Sequence, residues 1–161
     1  MSFSIRNAQK SDMAAVHGLI TELAVYEKMP DAVALTVADL ERDGFEGQPL
    51  FHCFVAEQQE TIVGIALVYD RYSTWQGPAV HLEDLIVTQQ ARGLGIGKAL
   101  LQEVVAYGVK KGVQRVGWEV LDWNEPAIKF YEECGATVMR DWDVVQMNRE
   151  AMEKFLNDAD I

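Results

Sequence analysis

Polar and apolar positions along the first third of the chain follow a helical period. Met13, Val16, Leu19, Ile20, Leu23 and Ala24 recur at three- and four-residue spacing and so share one helix face. Ser11 and Asp12 stand ahead of them as caps, and the helix is expected to run to about Lys28, where Pro30 stops it. Thr36-Val-Ala-Asp39 has capping-box spacing and starts a short second helix that ends before Gly44. A period of two then takes over. Phe51 to Glu57 and Thr61 to Tyr69 alternate on either side of a polar Gln58-Gln59-Glu60 turn, which predicts an antiparallel hairpin. Ile5 with Arg6, in the stretch opening at Met1, reads as an earlier strand, and Tyr72 to Pro78 reads as a loop.

The pattern changes again at Leu82-Glu83-Asp84-Leu85-Ile86-Val87, a strand that runs into Arg92-Gly93-Leu94-Gly95-Ile96-Gly97-Lys98-Ala99. A helix is expected from about Lys98 to Lys111, with Leu100, Leu101, Val104, Val105 and Val109 inward and Gly112 as its end. Val113 to Leu121 reads as a strand, and Asn124-Glu-Pro126 opens a helix closed by Gly135. Ala136 to Met147 is a last strand region, and Asn148 caps a terminal helix. Antiparallel strands first, then a strand–helix–strand–helix unit, predict a mixed α/β sheet with helices on both faces. The whole of 1–161 is expected to be a single domain.

Strand, glycine turn and helix make an anion cradle, because glycines let backbone approach a ligand and the first helical N–H groups point outward at the positive end of the macrodipole. A pyrophosphate suits it, with Arg92 and Lys98 adding positive charge. Two common phosphate loops are excluded. Gly-x-Gly-x-x-Gly fails because Leu100 or Lys98 occupies the third glycine position, depending on the starting residue. A Walker loop fails because Arg92 stands at its first glycine and Ala99 replaces the hydroxyl.

The net charge of −11 opposes nucleic acid and anionic membranes and favours small cations as partners. No apolar run approaches a membrane span, and the first residues lack the apolar stretch of a signal peptide. Cys53 and Cys134 are expected to be buried thiols in a reducing cytoplasm; neither has a His at hand for nucleophilic work. No metal site is expected, since His17, His52 and His81 have no ligands at metal spacing. Glu83 and Asp84 interrupt an apolar strand. Glu83 is therefore expected to be buried, with a cationic amine as its partner and a basicity raised by burial; a solvated strand end is the alternative.

Around the Arg-x-x-Gly-x-Gly loop stand Tyr72-Ser-Thr-Trp75, Leu82-Glu-Asp84 and Asp122-Trp-Asn-Glu-Pro126 through Phe130-Tyr131. With these, nearly the whole chain resembles the GNAT N-acetyltransferase superfamily, in its spermidine/spermine (diamine) or thialysine branch. Val116-Gly-Trp-Glu119 agrees least with the spermidine enzyme, whereas Val120-Leu-Asp-Trp-Asn124 is nearer the thialysine members.

The resemblance implies the GNAT acyl-CoA N-acyltransferase fold, a mixed and mostly antiparallel sheet, with acetyl-CoA as co-substrate. Leu85, Ile86, Val87, Arg92, Gly93, Leu94, Gly95, Ile96, Gly97 and Lys98 would hold the CoA, and Asn124, Pro126 and Ala127 its pantetheine arm. Tyr131 would lie near the sulfur as general acid, and Glu83 would bind the amine or relay its proton. Tyr26, Glu27, Trp75, Glu83, Asp84, Trp118 and Glu119 would line the amine pocket, with packing and surface roles as the alternative for Tyr26-Glu27, Trp75 and Trp118-Glu119. A homodimer is implied as well. Three other readings stay open: a different amine such as an aminoglycoside or protein lysine, a longer acyl chain, or a non-catalytic CoA or polyamine sensor.

Overall fold

The computed structural model describes residues 2–158; Met1 lies outside the described residues. Two compact units are present, the first reaching Glu119 and the second beginning at Val120.

In the first unit the strands are β1 (Ser4–Asn7), β2 (His52–Gln58), β3 (Thr61–Ser73), β4 (Gly77–Val87) and β5 (Val116–Gly117). They form one sheet in the order β1-β2-β3-β4-β5, antiparallel except for the parallel pairing of β4 with β5. Helix α1 (Met13–Tyr26) and helix α2 (Val37–Phe45) cover one face. Met13, Val16, Leu19 and Leu40 pack there with Cys53, Val55, Ile65, Leu67 and Ile86. Strand residues alternate faces, so Phe54 and His52 point the other way. On that side they meet Tyr107 of helix α3 (Ile96–Lys111), whose ring stacks on His52 at 5.1 Å. Helices thus lie on both faces, as the pattern predicts.

Local chemistry sets most helix ends. Thr36 and Asp39 exchange the two capping-box hydrogen bonds at α2. Gly112 ends α3 at φ 74°, a left-handed position that glycine reaches without penalty. Asp12 does not cap α1. It closes a 3-10 turn over Lys10–Asp12, where its carboxylate accepts from the Gln9 N–H at 2.7 Å and from the Arg6 guanidinium at 2.7 and 3.1 Å. Gly44 lies inside α2 rather than after it, where glycine is needed for close packing: a Cβ there would stand 2.5 Å from the Phe51 ring. Val105 and Val109 are exposed, so the inward stripe of α3 is Ile96, Leu100, Leu101 and Val104.

Three expectations about strands are corrected. Tyr72 to Pro78 is not a loop: β3 and β4 stay paired to Ser73 opposite Gly77. The tight turn holds because the Ser73 hydroxyl accepts from the N–H groups of Trp75 and Gln76 at 3.2 and 3.3 Å. Val113 to Leu121 contributes only Val116 and Gly117 to the ladder. β-propensity alone does not make a strand; a partner edge must run alongside.

The second unit holds α4 (Glu125–Glu133) and α5 (Arg149–Asn157). Ala136 to Met147 is extended without ladder partners among the described residues, so that strand region is also corrected. Cys134 is exposed, not buried; it sits at the C-terminal cap of α4, where its N–H serves the Phe130 and Tyr131 carbonyls. Cys53 is buried as expected, and burial pushes its thiol up to about 12. No helix among the described residues is long and apolar enough to cross a membrane.

Candidate active site

The parallel pairing of β4 and β5 ends at His81 opposite Gly117. Beyond it, Leu82 to Val87 pairs only with β3 among the described strands, so the outer backbone edge of Leu85, Ile86 and Val87 is left without a ladder partner. The Ile86 side chain is buried in the core, so this residue offers a ligand its backbone. Past Val87 the chain makes a 3-10 turn over Gln89–Ala91 and enters the glycine loop. Glu22 of α1 tethers this corner: its carboxylate accepts from the Thr88 hydroxyl at 2.9 Å and the Gln89 N–H at 3.0 Å. Arg92 is folded back, with Nε donating to the Val87 carbonyl at 2.9 Å and the guanidinium 5.2 Å from the centre of the Tyr26 ring.

Gly93 and Gly95 have φ of 80° and 81°, and a Cβ at either would meet nothing within 4 Å. The turn therefore needs glycine for its backbone, and the space over it is open. α3 begins at Ile96, one residue after this turn and slightly earlier than Lys98. Its first intrahelical donor is the Ala99 N–H, to the Gly95 carbonyl at 3.0 Å, so the N–H groups of Ile96, Gly97 and Lys98 lack intrahelical acceptors. Gly97 sits closer to the protein, where a Cβ would touch Val87 at 3.8 Å. Leu94 and Lys98 are exposed at the rim. A curved row of outward N–H groups with open space above fits a pyrophosphate.

The carboxylates before the loop are arranged differently from expectation. Ladder pairs run Leu67 to Asp84 and then Val68 to Leu82, which leaves Glu83 as the extra residue of a β-bulge. The bulge turns Glu83 outward, with its side chain 53% exposed, so the expectation of a buried Glu83 is corrected. Burial falls on Asp84 instead. Asp84 sits opposite Leu67 on the α1 face of the sheet, and burial, with the charges of Glu83 and Glu27, pushes its carboxyl up to about 6. Glu27, at the C-terminal cap of α1, is raised by burial as well. Asp84, Glu27 and Tyr26 thus gather where α1 ends, beside the loop.

Further along the same face lies a group that motif reading missed. His81 pairs with Tyr69 across the strands, with ring centres 5.1 Å apart. His81 is buried; its Nδ1 lies 3.4 Å from Arg71 Nη1 and its Nε2 3.6 Å from Glu83 Oε2. Burial lowers the His81 pKa, with Glu83 and Glu119 pulling it up and Arg71 and Arg115 pushing it down. The Tyr69 phenol is raised by burial and by Glu83, to which it donates. Glu119 therefore reaches this group, and Trp118 is half-buried beside it in sequence. Trp75 is not brought there: it stands 85% exposed at the hairpin tip, the length of β4 away from Asp84.

In the second unit, Asn124 caps α4 by accepting from the Ala127 N–H at 3.4 Å, with Pro126 in the first turn. Ile128 is buried, and the half-buried Tyr131 ring lies 5.3 Å from that of Phe130 at 55°.

The model of the acetyltransferase (GNAT) family matches residues 15–136. A thialysine N-epsilon-acetyltransferase of Bos taurus is 37% identical, covering 93% of this chain and 95% of its own. A spermidine/spermine N(1)-acetyltransferase-like protein of Homo sapiens is 38% identical over 93% of this chain, a match that takes up 23% of that longer protein. Among solved structures, an aminoglycoside acetyltransferase from an uncultured soil metagenomic sample superimposes with a TM-score of 0.75 at 21% identity, covering 91% of this chain and 95% of that one. That likeness is one of fold. With the open backbone edge of Leu85 to Val87, the glycine cradle and these relatives together, the chain belongs to the GNAT acetyltransferase family and is an acetyl-CoA-dependent N-acetyltransferase.

Proposed function

We propose that the chain acetylates a terminal primary amine of a small cation, either a polyamine or diamine or a thialysine-like amino acid. One observation carries this reading: a carboxyl held near 6 at Asp84, next to Glu27, beside the anion cradle. Two carboxylates that desolvation disfavours have their best partner in an ammonium group. The relatives that act on thialysine and on polyamines support the same choice of acceptor.

When bound, acetyl-CoA supplies an activated acetyl thioester. The N–H groups of Ile96, Gly97 and Lys98, with Gly93, Leu94 and Gly95, hold its pyrophosphate in this proposal, and Arg92 adds charge from the position fixed by Val87 and Tyr26. A backbone N–H on the free edge of Leu85 to Val87 holds the thioester oxygen as charge develops there. Asp84, Glu27 and Tyr26 bind the acceptor, with Trp118 and Glu119 toward its far end.

The amine must first lose a proton. With a pKa of about 10.4, the neutral form costs about 4.6 kcal/mol at pH 7. Glu83, exposed and oriented by Tyr69, takes that proton through water and passes it to solvent. Tyr131 gives a proton to the leaving thiolate, a role that rests on the resemblance of the Asn124-to-Tyr131 segment. Attack is direct in this proposal: Cys53 is buried with its thiol pushed up to about 12, and the sequence sets no His beside Cys134 to activate it. A homodimer and a cytoplasmic location complete the proposal. Exposed Trp142, Val144, Val145 and Met147 support self-association, and two free cysteines suit a reducing compartment.

The test is CoA release from acetyl-CoA with spermidine, spermine, putrescine, lysine and thialysine as separate acceptors. Amine-dependent release with at least one of them is expected. Release with none, while an aminoglycoside or a lysine-bearing peptide is acetylated, would replace this acceptor class.

A further inference from the structure

The face of the sheet that carries Asp84 also carries a guanidinium. Leu67, Tyr69 and Arg71 alternate along β3 on the side of Asp84 and His81, so Arg71 points to the face where the amine is placed. Among the described residues, Arg71 has no carboxylate within ion-pair distance. Its partner at hydrogen-bond distance is His81 Nδ1, at 3.4 Å.

That contact fixes a tautomer. A guanidinium only donates, so Nδ1 must accept, and the imidazole proton sits on Nε2, facing Glu83 at 3.6 Å. The imidazole stays neutral because burial disfavours its charge, with Arg71 and Arg115 acting in the same sense against Glu83 and Glu119. A neutral ring thus separates the positive Arg71 from the negative Glu83 and keeps them from collapsing into an ion pair. What remains is a mixed strip: Asp84 with Glu27 at one end, Arg71 with donors to spare at the other, and between them His81, on which Glu83 and Glu119 also act. A polyamine, positive along its length, has nothing to offer Arg71. An amino acid whose side chain ends in an amine has its carboxylate at the opposite end from the reacting nitrogen. From Leu67, opposite Asp84, to Arg71 the strip runs four residues along β3, about 13 Å of strand, and the Arg71 side chain shortens that span by reaching back to His81.

We infer that Arg71, oriented by His81, is the binding site for the α-carboxylate of the acceptor, so that this chain takes lysine-length ω-amino acids in preference to carboxylate-free diamines. This rests on the acceptor site proposed above and chooses between its two substrate classes. Bidentate contact of a guanidinium with a carboxylate is the geometry arginine serves best.

The test compares matched pairs that differ only in the carboxylate, lysine with cadaverine and thialysine with its decarboxylated diamine, on wild type and Arg71→Gln. In wild type the amino acid of each pair is expected to have the higher kcat/KM. Arg71→Gln should lower kcat/KM for the amino acid by about 10- to 100-fold, mostly through KM, and leave the diamine unchanged. Unchanged diamine turnover also shows that the variant folds. A wild-type preference for the diamine, or equal losses for both members of a pair, would overturn the inference while leaving the acetyltransferase intact. If neither amine is acetylated, the proposed acceptor fails, and calorimetric binding decides here: thialysine must still bind tighter than its diamine, and lose that advantage in Arg71→Gln.

Discussion

Asp84→Asn isolates the group on which the acceptor site depends. An Asp ordinarily titrates near 3.8, and burial pushes Asp84 up to about 6. The fold thus holds the Asp84 proton more tightly than the unfolded chain does. The stabilising contribution is fully present below pH 3.8 and is lost as pH rises through about 6. Each tenfold gain in proton affinity is worth about 1.36 kcal/mol, so the ionised group costs at most about 3 kcal/mol at neutral pH, a ceiling because partial exposure screens it. Asparagine keeps the shape and removes the charge. Urea unfolding of both proteins from pH 4.5 to 7.5 reads the effect. His52 and His81, whose pKa values are lowered mainly by burial, act on stability in the opposite sense, being lost as pH falls; they cancel in the difference between the two proteins. Across this range Asp84→Asn should gain on wild type by about 2 kcal/mol as pH rises, because about 1 of the 3 is already lost by pH 4.5, and level off above pH 7. A difference that is flat or shrinks with pH would refute the buried carboxyl. Amine binding near pH 6 should also release more proton in wild type than in the variant, which keeps only the raised carboxyl of Glu27.

Gly95→Val should cost about 1–3 kcal/mol of stability through its left-handed φ of 81° and abolish CoA binding by calorimetry; unchanged affinity would sink the cradle. Tyr131→Phe, which keeps the ring packing against Phe130, should lower kcat by roughly 10²–10⁴-fold with acetyl-CoA affinity intact, and full single-turnover activity would remove Tyr131 from the chemistry. Glu22→Ala should lose about 1–3 kcal/mol in urea melts and speed amide exchange at Gln89, since it strips the tether from the Thr88 hydroxyl and the Gln89 N–H; exchange as in wild type would show the tether to be idle.

What was legible in the sequence was mostly local. Thr36 with Asp39, Asn124 with Pro126, and Gly112 mark helix ends because each solves a hydrogen-bonding or φ problem within a few residues. The glycine cradle was legible for the same reason. Features set by pairing across the sheet were not. The bulge at Glu83 arises from the register of β4 against β3, and it moved burial from Glu83 to Asp84. The group of Tyr69, Arg71 and His81 was hidden because Tyr72 to Pro78 looks like loop; extending the hairpin to Ser73 sets Tyr69 opposite His81 at once. Ala136 to Met147 has strand composition, yet a strand exists only where an edge receives it.

Direct transfer to a small amine is tested most closely by a single-turnover quench. Acetyl-labelled acetyl-CoA is mixed with excess enzyme and a saturating lysine-length amine, and protein and small molecules are separated at each time point. Label should pass from CoA to the terminal nitrogen of the amine with one rate, leave no acetylated protein, and stay on CoA when the amine is omitted. Label accumulating on the protein before the amine, or leaving CoA at the same rate without any amine, would contradict it.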